Sequence, residues 1–199
     1  QGDGEAANGV FQRSNIERST LTTQSQLYAQ QEFGKHNLSG VASFETESRD
    51  LLNIYMWGTD FPSYLKYELE NSGTQGGSST VDKDRMVSFL LKGDYTYDDR
   101  YILGASARWD GSSRLAPDHR WGLFWSLSGS WNLGKEAFMK PLESVLTDAR
   151  LRLSYGANGT LPSGYYSHLS LYSFGYNYNG GTGTVESSLG APRLSWEKN

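Results

Sequence analysis

The sequence from Tyr101 to Leu133 reads YILGASARWDGSSRLAPDHRWGLFWSLSGSWNL and decides the fold class. Two runs in which apolar and small polar residues alternate, 101–110 and 121–133, flank a polar loop at 111–120. Because side chains alternate between the two faces of a β-strand, each run predicts a strand. One face of each strand is apolar and carries tryptophan near an end, and the other is built mainly of Ser, Gly, Arg and Asn.

The same alternation extends to the neighbouring runs at 85–97 and 148–157. Within residues 86–97, 101–109, 121–133 and 149–155 of these runs the charged residues fall on one face, and the opposite face carries none. Weaker strand patterns occur at about 18–32 and 37–48. A minimal turn joins the strands on either side of residue 99, which makes them antiparallel neighbours. We therefore predict an all-β fold, an antiparallel up-and-down meander of about six strands.

The remaining segments are predicted to be connections. Residues 1–17 are polar and loop-like, and 49–83 form a long connection ending in the low-complexity sequence NSGTQGGSST, whose composition predicts mobility. A short helical piece is expected from Lys135 to Lys140, stopped by Pro141. A segment rich in Gly, Ser and Tyr fills 158–192, and a new strand begins near the end of the chain.

Several features favour a sector of a large transmembrane β-barrel over a soluble sheet. The polar face is dominated by Ser and Gly rather than Lys and Glu, as in a barrel lumen. The eleven residues from 87 to 97 span about 36 Å, and a tilt of about 40° leaves about 28 Å along the membrane normal, close to the hydrocarbon thickness. Connections alternate between short and long, with 134–147 as the exception. Aromatic residues collect at both ends of the apolar face, which predicts two lipid-interface girdles. Tyr95, Tyr97 and Tyr101 are expected at the end with the tight turn, and Trp109, Trp121 and Tyr155 at the opposite end, with Trp131 as a further lipid-interface residue.

Composition is compatible with this prediction without requiring it. The 199 residues carry a net charge of −4, 27 aromatic side chains and no cysteine. No run approaches the length of apolar sequence that a transmembrane helix needs, so any spanning must be done by strands. The mild acidity argues against a nucleic-acid partner. The alternative is a soluble carbohydrate-binding β-sandwich that uses its Trp and Tyr faces as platforms.

Candidate ligand-binding residues are of two kinds. Arg108, Asp110, Arg114 and Arg120 are expected around the mouth of the lumen, where they contact polar or anionic ligand groups or form a rim ion-pair network that fixes loop geometry. The second kind are tyrosines of the long loop, which stack on sugar rings, pack against a partner or pack on each other: Tyr165, Tyr166, Tyr172, Tyr176 and Tyr178.

Catalytic and metal sites are not predicted. His36, His119 and His168 have no metal-ligand spacing, and too few oxygen ligands accompany Asp110 for calcium. The serines of the run 121–133 have no accompanying His and Asp pattern, so a nucleophile is not expected. We expect no enzyme activity, no metal and no cofactor.

A set of short motifs resembles a known family. The motifs are RWDGSSR at 108–114, RWG at 120–122, SLS at 126–128, WNL with EAF at 131–138, and LRLSYG at 151–156. In this order they are similar to the SusC/RagA-type TonB-dependent outer-membrane transporters, which typically read R-x-D-G-S-S-R-F-G, R-W-G-x-F-P-S and L-R-x-S-Y-G. The resemblance covers about 84–158 strongly and the preceding part loosely. Leu115-Ala116 replaces Phe-Gly, and Trp125 replaces the common proline.

The resemblance implies a barrel of about 22 strands in the bacterial outer membrane, closed by an N-terminal plug. It implies a SusD-like surface lipoprotein and TonB as partners, with oligosaccharides or peptides as substrates. We expect the present chain to be an internal barrel fragment, 1–199, with no plug, no TonB box and too few strands to close a barrel.

Overall fold

The computed structural model describes residues 8–62, 68–142, 148–178 and 180–199. Strands make up most of this part of the chain, together with short 3-10 turns. Among these residues no helix is long and apolar enough to cross a membrane. The ten strands are β1 (Val10–Phe33), β2 (His36–Thr59), β3 (Thr74–Tyr97), β4 (Tyr101–Ser112), β5 (Trp121–Asn132), β6 (Arg150–Ala157), β7 (Gly159–Thr160), β8 (Leu171–Tyr178), β9 (Gly181–Ser188) and β10 (Glu197–Lys198).

The first six strands form one sheet in the order β1-β2-β3-β4-β5-β6. Each strand pairs with the next one along the chain, which is an up-and-down meander, so the predicted fold class is confirmed. Two small antiparallel ladders accompany this sheet, β7 with β10 and β8 with β9. The expected strand near the end of the chain is present as β10.

The chain divides into two compact units, one of residues 1–21 and 48–84 and one of residues 22–47 and 85–199. In the first unit, residues 74–80 of the glycine-rich sequence that was expected to be mobile are part of β3. A Cβ added at Gly76 would lie 2.7 Å from the Trp57 ring, and one at Gly77 would lie 2.7 Å from the Tyr55 carbonyl oxygen. These glycines therefore allow close approach of strand β2, and their composition reflects packing rather than mobility.

Three sequence-based boundaries were wrong for the same reason. Residues 10–17 belong to β1, 49–59 to β2 and 74–83 to β3, although all three segments were predicted to be loops. Their apolar alternation is weak, but ladder hydrogen bonds do not depend on the side chains. The described part of the connection between β2 and β3 is therefore much shorter than predicted.

In the second unit, the register of β3 to β6 keeps like faces together. Phe89 lies opposite Trp109, which lies opposite Leu123, and the same pairing continues along the strands. We call the resulting surface the apolar face, formed by the odd-numbered residues 87–97, 101–109, 121–131 and 151–155. The even-numbered residues of these strands form the polar face.

The apolar face is not covered by other described residues. Leu127 at its centre is 56% exposed, and Leu153 is 78% exposed. Among the described residues, Leu115 is completely buried and Phe124 is 8% exposed, and neither belongs to the apolar face. Since burial of apolar area is the main driving force for folding, a sheet with this face open to water lacks most of its stabilisation.

The tight turn between β3 and β4 uses an uncommon backbone conformation. Asp98 and Asp99 have φ values of 50° and 53°, and the Arg100 amide donates to the Tyr97 carbonyl at 2.9 Å. Positive φ at both central positions gives the mirror-image turn whose twist matches that of paired strands, and aspartate tolerates this conformation better than most residues. The turn between β1 and β2 uses Gly34 with φ 62°.

The predicted helical piece after β5 differs in type and extent. It consists of two 3-10 segments, Leu133–Lys135 and Ala137–Leu142. Pro141 lies inside the second segment rather than ending it. The tighter 3-10 geometry suits such a short, proline-containing sequence.

Candidate functional site

An ion-pair network lies on the polar face of strands β2, β3 and β4. The Arg108 Nε atom lies 2.8 Å and 3.0 Å from the two carboxylate oxygens of Asp110. The Arg108 Nη2 atom donates to the Ser88 hydroxyl at 3.1 Å and lies 3.7 Å from the Glu45 carboxylate. Glu45 in turn accepts a hydrogen bond from the Gln24 amide at 3.2 Å.

Burial makes this network structurally significant. The side chain of Asp110 is only 9% exposed, and Ser88 is buried, whereas Arg108 is about one third exposed. A buried carboxylate needs a partner because desolvation of an unpaired charge is costly. The Arg108 guanidinium therefore supplies hydrogen bonds and charge to Asp110 and Ser88, and it also lies near the carboxylate of Glu45.

Arg114 and Arg120 have different described partners from Arg108. The Arg114 guanidinium carbon lies 4.3 Å from the centre of the Tyr165 ring, a cation–π contact. The carbonyl of Arg114 lies 3.1 Å from His168 Nδ1. The carbonyl of Arg120 accepts from the Trp196 indole at 2.9 Å, while its side chain is exposed. The structure thus joins Arg108 to Asp110 and gives the other two arginines separate surroundings.

The loop after β4 is fixed by backbone hydrogen bonds to later parts of the chain. The Ala116 amide donates to the Leu194 carbonyl at 3.1 Å. Within the later part of the chain, the Ala191 amide donates to the Ser167 carbonyl at 2.9 Å. Leu115 is completely buried at this place. The loop at 111–120 is therefore packed against the later part of the chain through Leu115 and Ala116.

The candidate tyrosines fall into two groups. Tyr165 and Tyr166 are neighbours with ring centres 6.4 Å apart. Tyr172 and Tyr176 lie on strand β8 and are exposed. Tyr178 is the last residue of β8, and its side chain lies outside the described residues.

A cleft of about 300 Å³ opens beside the ion-pair network on the polar face. It offers hydroxyl, amide, guanidinium and carboxylate groups next to an aromatic wall, a mixture suited to a neutral polar ligand such as a sugar or a peptide. Sequence reasoning missed the two serines and the asparagine, because isolated Ser and Asn residues carry no distinguishing signal. The cleft is lined by Leu90, Ser106, Arg108, Asp110, Phe124, Trp125, Ser126, Asn158 and Gly159.

The apolar face carries aromatic clusters near both ends. At one end the rings of Trp109 and Trp121 lie 4.7 Å apart, and Phe89 lies 6.1 Å from Trp109. At the other end Tyr101 stacks on Trp131 with ring centres 6.3 Å apart. Trp109, Trp121, Tyr101 and Trp131 belong to the set predicted for the two girdles, whereas Phe89 does not; their contact with lipid stays a prediction.

Tyr95, Tyr97 and Tyr155 complete the predicted set. His36 lies 2.7 Å from the Tyr95 hydroxyl and 5.0 Å from the Tyr97 ring centre, which places both tyrosines at the turn end of their strand. Tyr155 was expected beside Trp109 and Trp121, but the register places it opposite Leu127, with its ring 5.8 Å from Trp125.

Glu136 forms a second polar centre that the sequence did not reveal. Its carboxylate accepts hydrogen bonds from the Trp131 indole at 3.0 Å and from the Tyr101 hydroxyl at 2.9 Å. Arg100 lies 3.6 Å from its other oxygen. The donation from Trp131, then that from Tyr101, and the charge of Arg100 hold the pKa of Glu136 below its ordinary value. The only sequence signal was that Trp131 and Glu136 belong to the same motif.

The chain is similar in sequence to TonB-dependent receptors. The chain is 30% identical over 172 residues to TonB-dependent receptor P39 of Formosa agariphila, covering 82% of this chain and 16% of that protein. It is 35% identical over 127 residues to TonB-dependent receptor SusC of Bacteroides thetaiotaomicron, covering 63% of this chain and 12% of that protein. No protein-family model matches.

Solved structures give the same result for the fold. The RagAB peptide importer in its closed-closed state matches with a TM-score of 0.85 at 24% identity, covering 96% of this chain and 21% of that one. A second RagAB peptide transporter structure matches with a TM-score of 0.85 at 25% identity, covering 96% and 22%. The chain thus spans roughly a fifth or less of the length of these proteins. They are receptors and importers rather than enzymes, in agreement with the sequence-based expectation.

Proposed function

Because the chain corresponds to a barrel segment of the SusC/RagA-type TonB-dependent receptors, we propose that it forms part of the wall of an outer-membrane nutrient transporter. The observation that carries this proposal is the exposed apolar face with aromatic clusters near both ends. Such a face is stable when an apolar environment covers it, and the hydrocarbon layer of a membrane, bounded by the aromatic clusters, is that environment. The opposite face, with its serines, glycines and ion pairs, then lines the lumen.

Further parts of the proposal rest on relatives that are much longer than this chain. We propose that the whole protein imports oligosaccharides or other nutrients such as peptides, together with a SusD-like lipoprotein, and draws energy through TonB. The support is the similarity to SusC and to the RagAB importer. Residues 1–199 would then be one sector of the barrel domain, and the plug would come from elsewhere in the protein.

The cleft beside Arg108 is the proposed ligand contact of this sector. Its hydroxyl and amide groups suit the hydrogen-bonding groups of a sugar or a peptide, and Phe124 supplies an aromatic surface. Arg114 and the tyrosines at 165, 166, 176 and 178 are proposed as contacts nearer the outside, with Arg120 beside them. The contact of Arg114 with the Tyr165 ring and that of Tyr165 with Tyr166 support an ordered arrangement of this part of the loop.

The soluble β-sandwich remains a weaker proposal. A sandwich requires a second sheet packed on the apolar face, and the described residues form no such layer over Leu127 or Leu153. The solved structures named above are those of a peptide importer or transporter.

The test uses the full-length receptor that contains this chain. Outer membranes are isolated and washed with urea, and the receptor is expected to stay with the membrane. Uptake of labelled oligosaccharides and peptides is then compared between cells with and without the receptor, and with and without TonB. A receptor released by urea, or uptake unchanged by both deletions, would contradict the proposal.

A further inference from the structure

We propose that residues 133–142 form an interfacial anchor, a short segment that rests in the lipid headgroup region at the end of the barrel where the tight turns lie. The occupant of its exposed surface is the membrane leaflet on that side. The inference rests on the proposed function, since it requires that the apolar face contacts lipid. It goes further because it assigns a membrane contact to a connection outside the strands.

The segment is attached to the apolar face rather than to the polar one. Trp131 and Tyr101 both belong to the apolar face, and both donate hydrogen bonds to the Glu136 carboxylate, at 3.0 Å and 2.9 Å. The Glu136 side chain is 14% exposed, so this contact is largely shielded from water. Glu136 therefore binds the indole N–H of Trp131 and the hydroxyl of Tyr101, and the apolar surfaces of both rings stay free to contact lipid.

Phe138 continues the apolar surface beyond the last strand residue. Its ring makes an edge contact with Trp131, with centres 6.5 Å apart, and the residue is 60% exposed. A phenylalanine so exposed on a connection is unfavourable in water, because its apolar surface remains hydrated. Because Trp131 lies at the edge of the apolar face, lipid that covers Trp131 also reaches Phe138.

Cationic side chains accompany this ring. Lys135 binds the Asp99 carboxylate at 2.9 Å but remains about half exposed, and Lys140 is exposed. Aromatic and apolar side chains flanked by lysine are typical of segments that lie in the membrane interface, where ammonium groups meet lipid phosphates. The same chemistry does not suit a dry protein interface, whose centre is depleted in lysine.

Site-directed spin labelling of the full-length receptor in phosphatidylethanolamine–phosphatidylglycerol vesicles tests the anchor. This chain contains no cysteine, so single cysteines introduced into it are unique once any cysteine elsewhere in the receptor is replaced. Labels are placed at Phe138→Cys, at Leu153→Cys as the hydrocarbon reference, and at Asp148→Cys as the water reference. Collision rates with oxygen and with a neutral nickel chelate then report the depth of each label.

The expected result is a label at position 138 with several-fold lower nickel accessibility than the label at 148, and with oxygen accessibility approaching that at 153. If position 153 behaves as lipid-exposed while 138 behaves like 148, the anchor is wrong and the proposed function stands. Protection of 138 from both collision agents would show a protein contact and would also overturn the anchor. A water-exposed label at 153 would overturn the proposed function, and the anchor with it.

Two variants of Glu136 test how the segment is held. Glu136→Gln keeps an oxygen that accepts from Trp131 and Tyr101 but removes the charge, whereas Glu136→Ala removes both. We expect nickel accessibility at position 138 to rise strongly in the alanine variant and less in the glutamine variant, with the label at 153 unchanged. Equal accessibility in the parent protein and the alanine variant would refute the positioning role of Glu136.

Discussion

Replacing Leu127 with arginine should destabilise the protein strongly, although Leu127 is 56% exposed. The residue lies on β5, four residues from Trp131 and six from Trp121. At about 3.4 Å per residue and a tilt of about 40°, these separations correspond to about 10 Å and about 16 Å along the membrane normal. Leu127 is therefore close to the middle of the hydrocarbon layer.

The expected magnitude follows from this depth. An arginine at the middle of the bilayer on the lipid face of a barrel costs about 2–4 kcal/mol, since its charge must reach the interface or draw water inward. A surface leucine of a soluble protein would instead tolerate the same change within about 0.5 kcal/mol. A lipid-facing and a water-facing apolar face thus predict losses of unfolding free energy for Leu127→Arg that differ several-fold.

The matched control is Ser128→Arg on the same strand. Ser128 is exposed on the polar face, where the register places it in one row with Gly104 and Asp94. An arginine there lies near a carboxylate and faces the proposed lumen, so we expect a change below about 1 kcal/mol.

The assay is guanidinium-induced unfolding of the full-length receptor in phospholipid vesicles, followed by tryptophan fluorescence, together with the amount of receptor recovered in the outer membrane. Leu127→Arg should lower both the unfolding midpoint and the recovered amount, and Ser128→Arg should change neither appreciably. Equal behaviour of the two variants would refute the assignment of the faces.

Three further predictions concern packing, charge and pH. Gly122→Ala should cost about 1–3 kcal/mol in the same unfolding assay, because the added methyl would lie 2.7 Å from an aromatic ring, whereas Gly129→Ala, with 3.9 Å to its nearest neighbour, should be tolerated. Arg108→Met should lower the free energy of unfolding by about 2–3 kcal/mol, less than for a fully buried pair because Arg108 is one third exposed. Adding Asp110→Asn should recover part of that loss, and full additivity of the two changes would argue against the ion pair. The folded pKa of Glu136 is depressed, so its contribution to stability is present above the unfolded pKa of 4.5 and is lost as the pH falls through the folded pKa. A spin label at position 138 should therefore become mobile at acid pH, and Glu136→Gln should abolish that transition.

The meander and the division into two faces could be predicted because both depend on a local pattern. Side chains of a strand alternate with a period of two, so the faces of residues 85–133 are readable one residue at a time. The tight turn at Asp98 fixes the pairing of β3 with β4. The register of β6 against β5 did not follow from it, since Tyr155 lies opposite Leu127. The same reasoning identified Trp109, Trp121 and Trp131 as members of one apolar surface.

Other features depend on residues far apart in sequence. Residues 49–59 and 74–83 are strands although their alternation is weak, because ladder hydrogen bonds to a neighbouring strand stabilise them regardless of side-chain pattern. The surroundings of the candidate arginines also depend on residues distant in sequence. Arg108 meets Glu45 across the sheet, while Arg114 meets Tyr165, and neither partner is close in sequence.

The sequence by itself therefore determined that this protein is an antiparallel meander with one apolar face, since strand alternation is a property of neighbouring residues. The tertiary structure alone decided which side chains meet: the network of Arg108 with Asp110, Ser88 and Glu45, the place of Tyr155 beside Trp125, and the attachment of Glu136 to Trp131 and Tyr101. The physical reason is that hydrogen bonds, ion pairs and ring contacts act over a few ångströms of space, and the register and the returning loops set those distances.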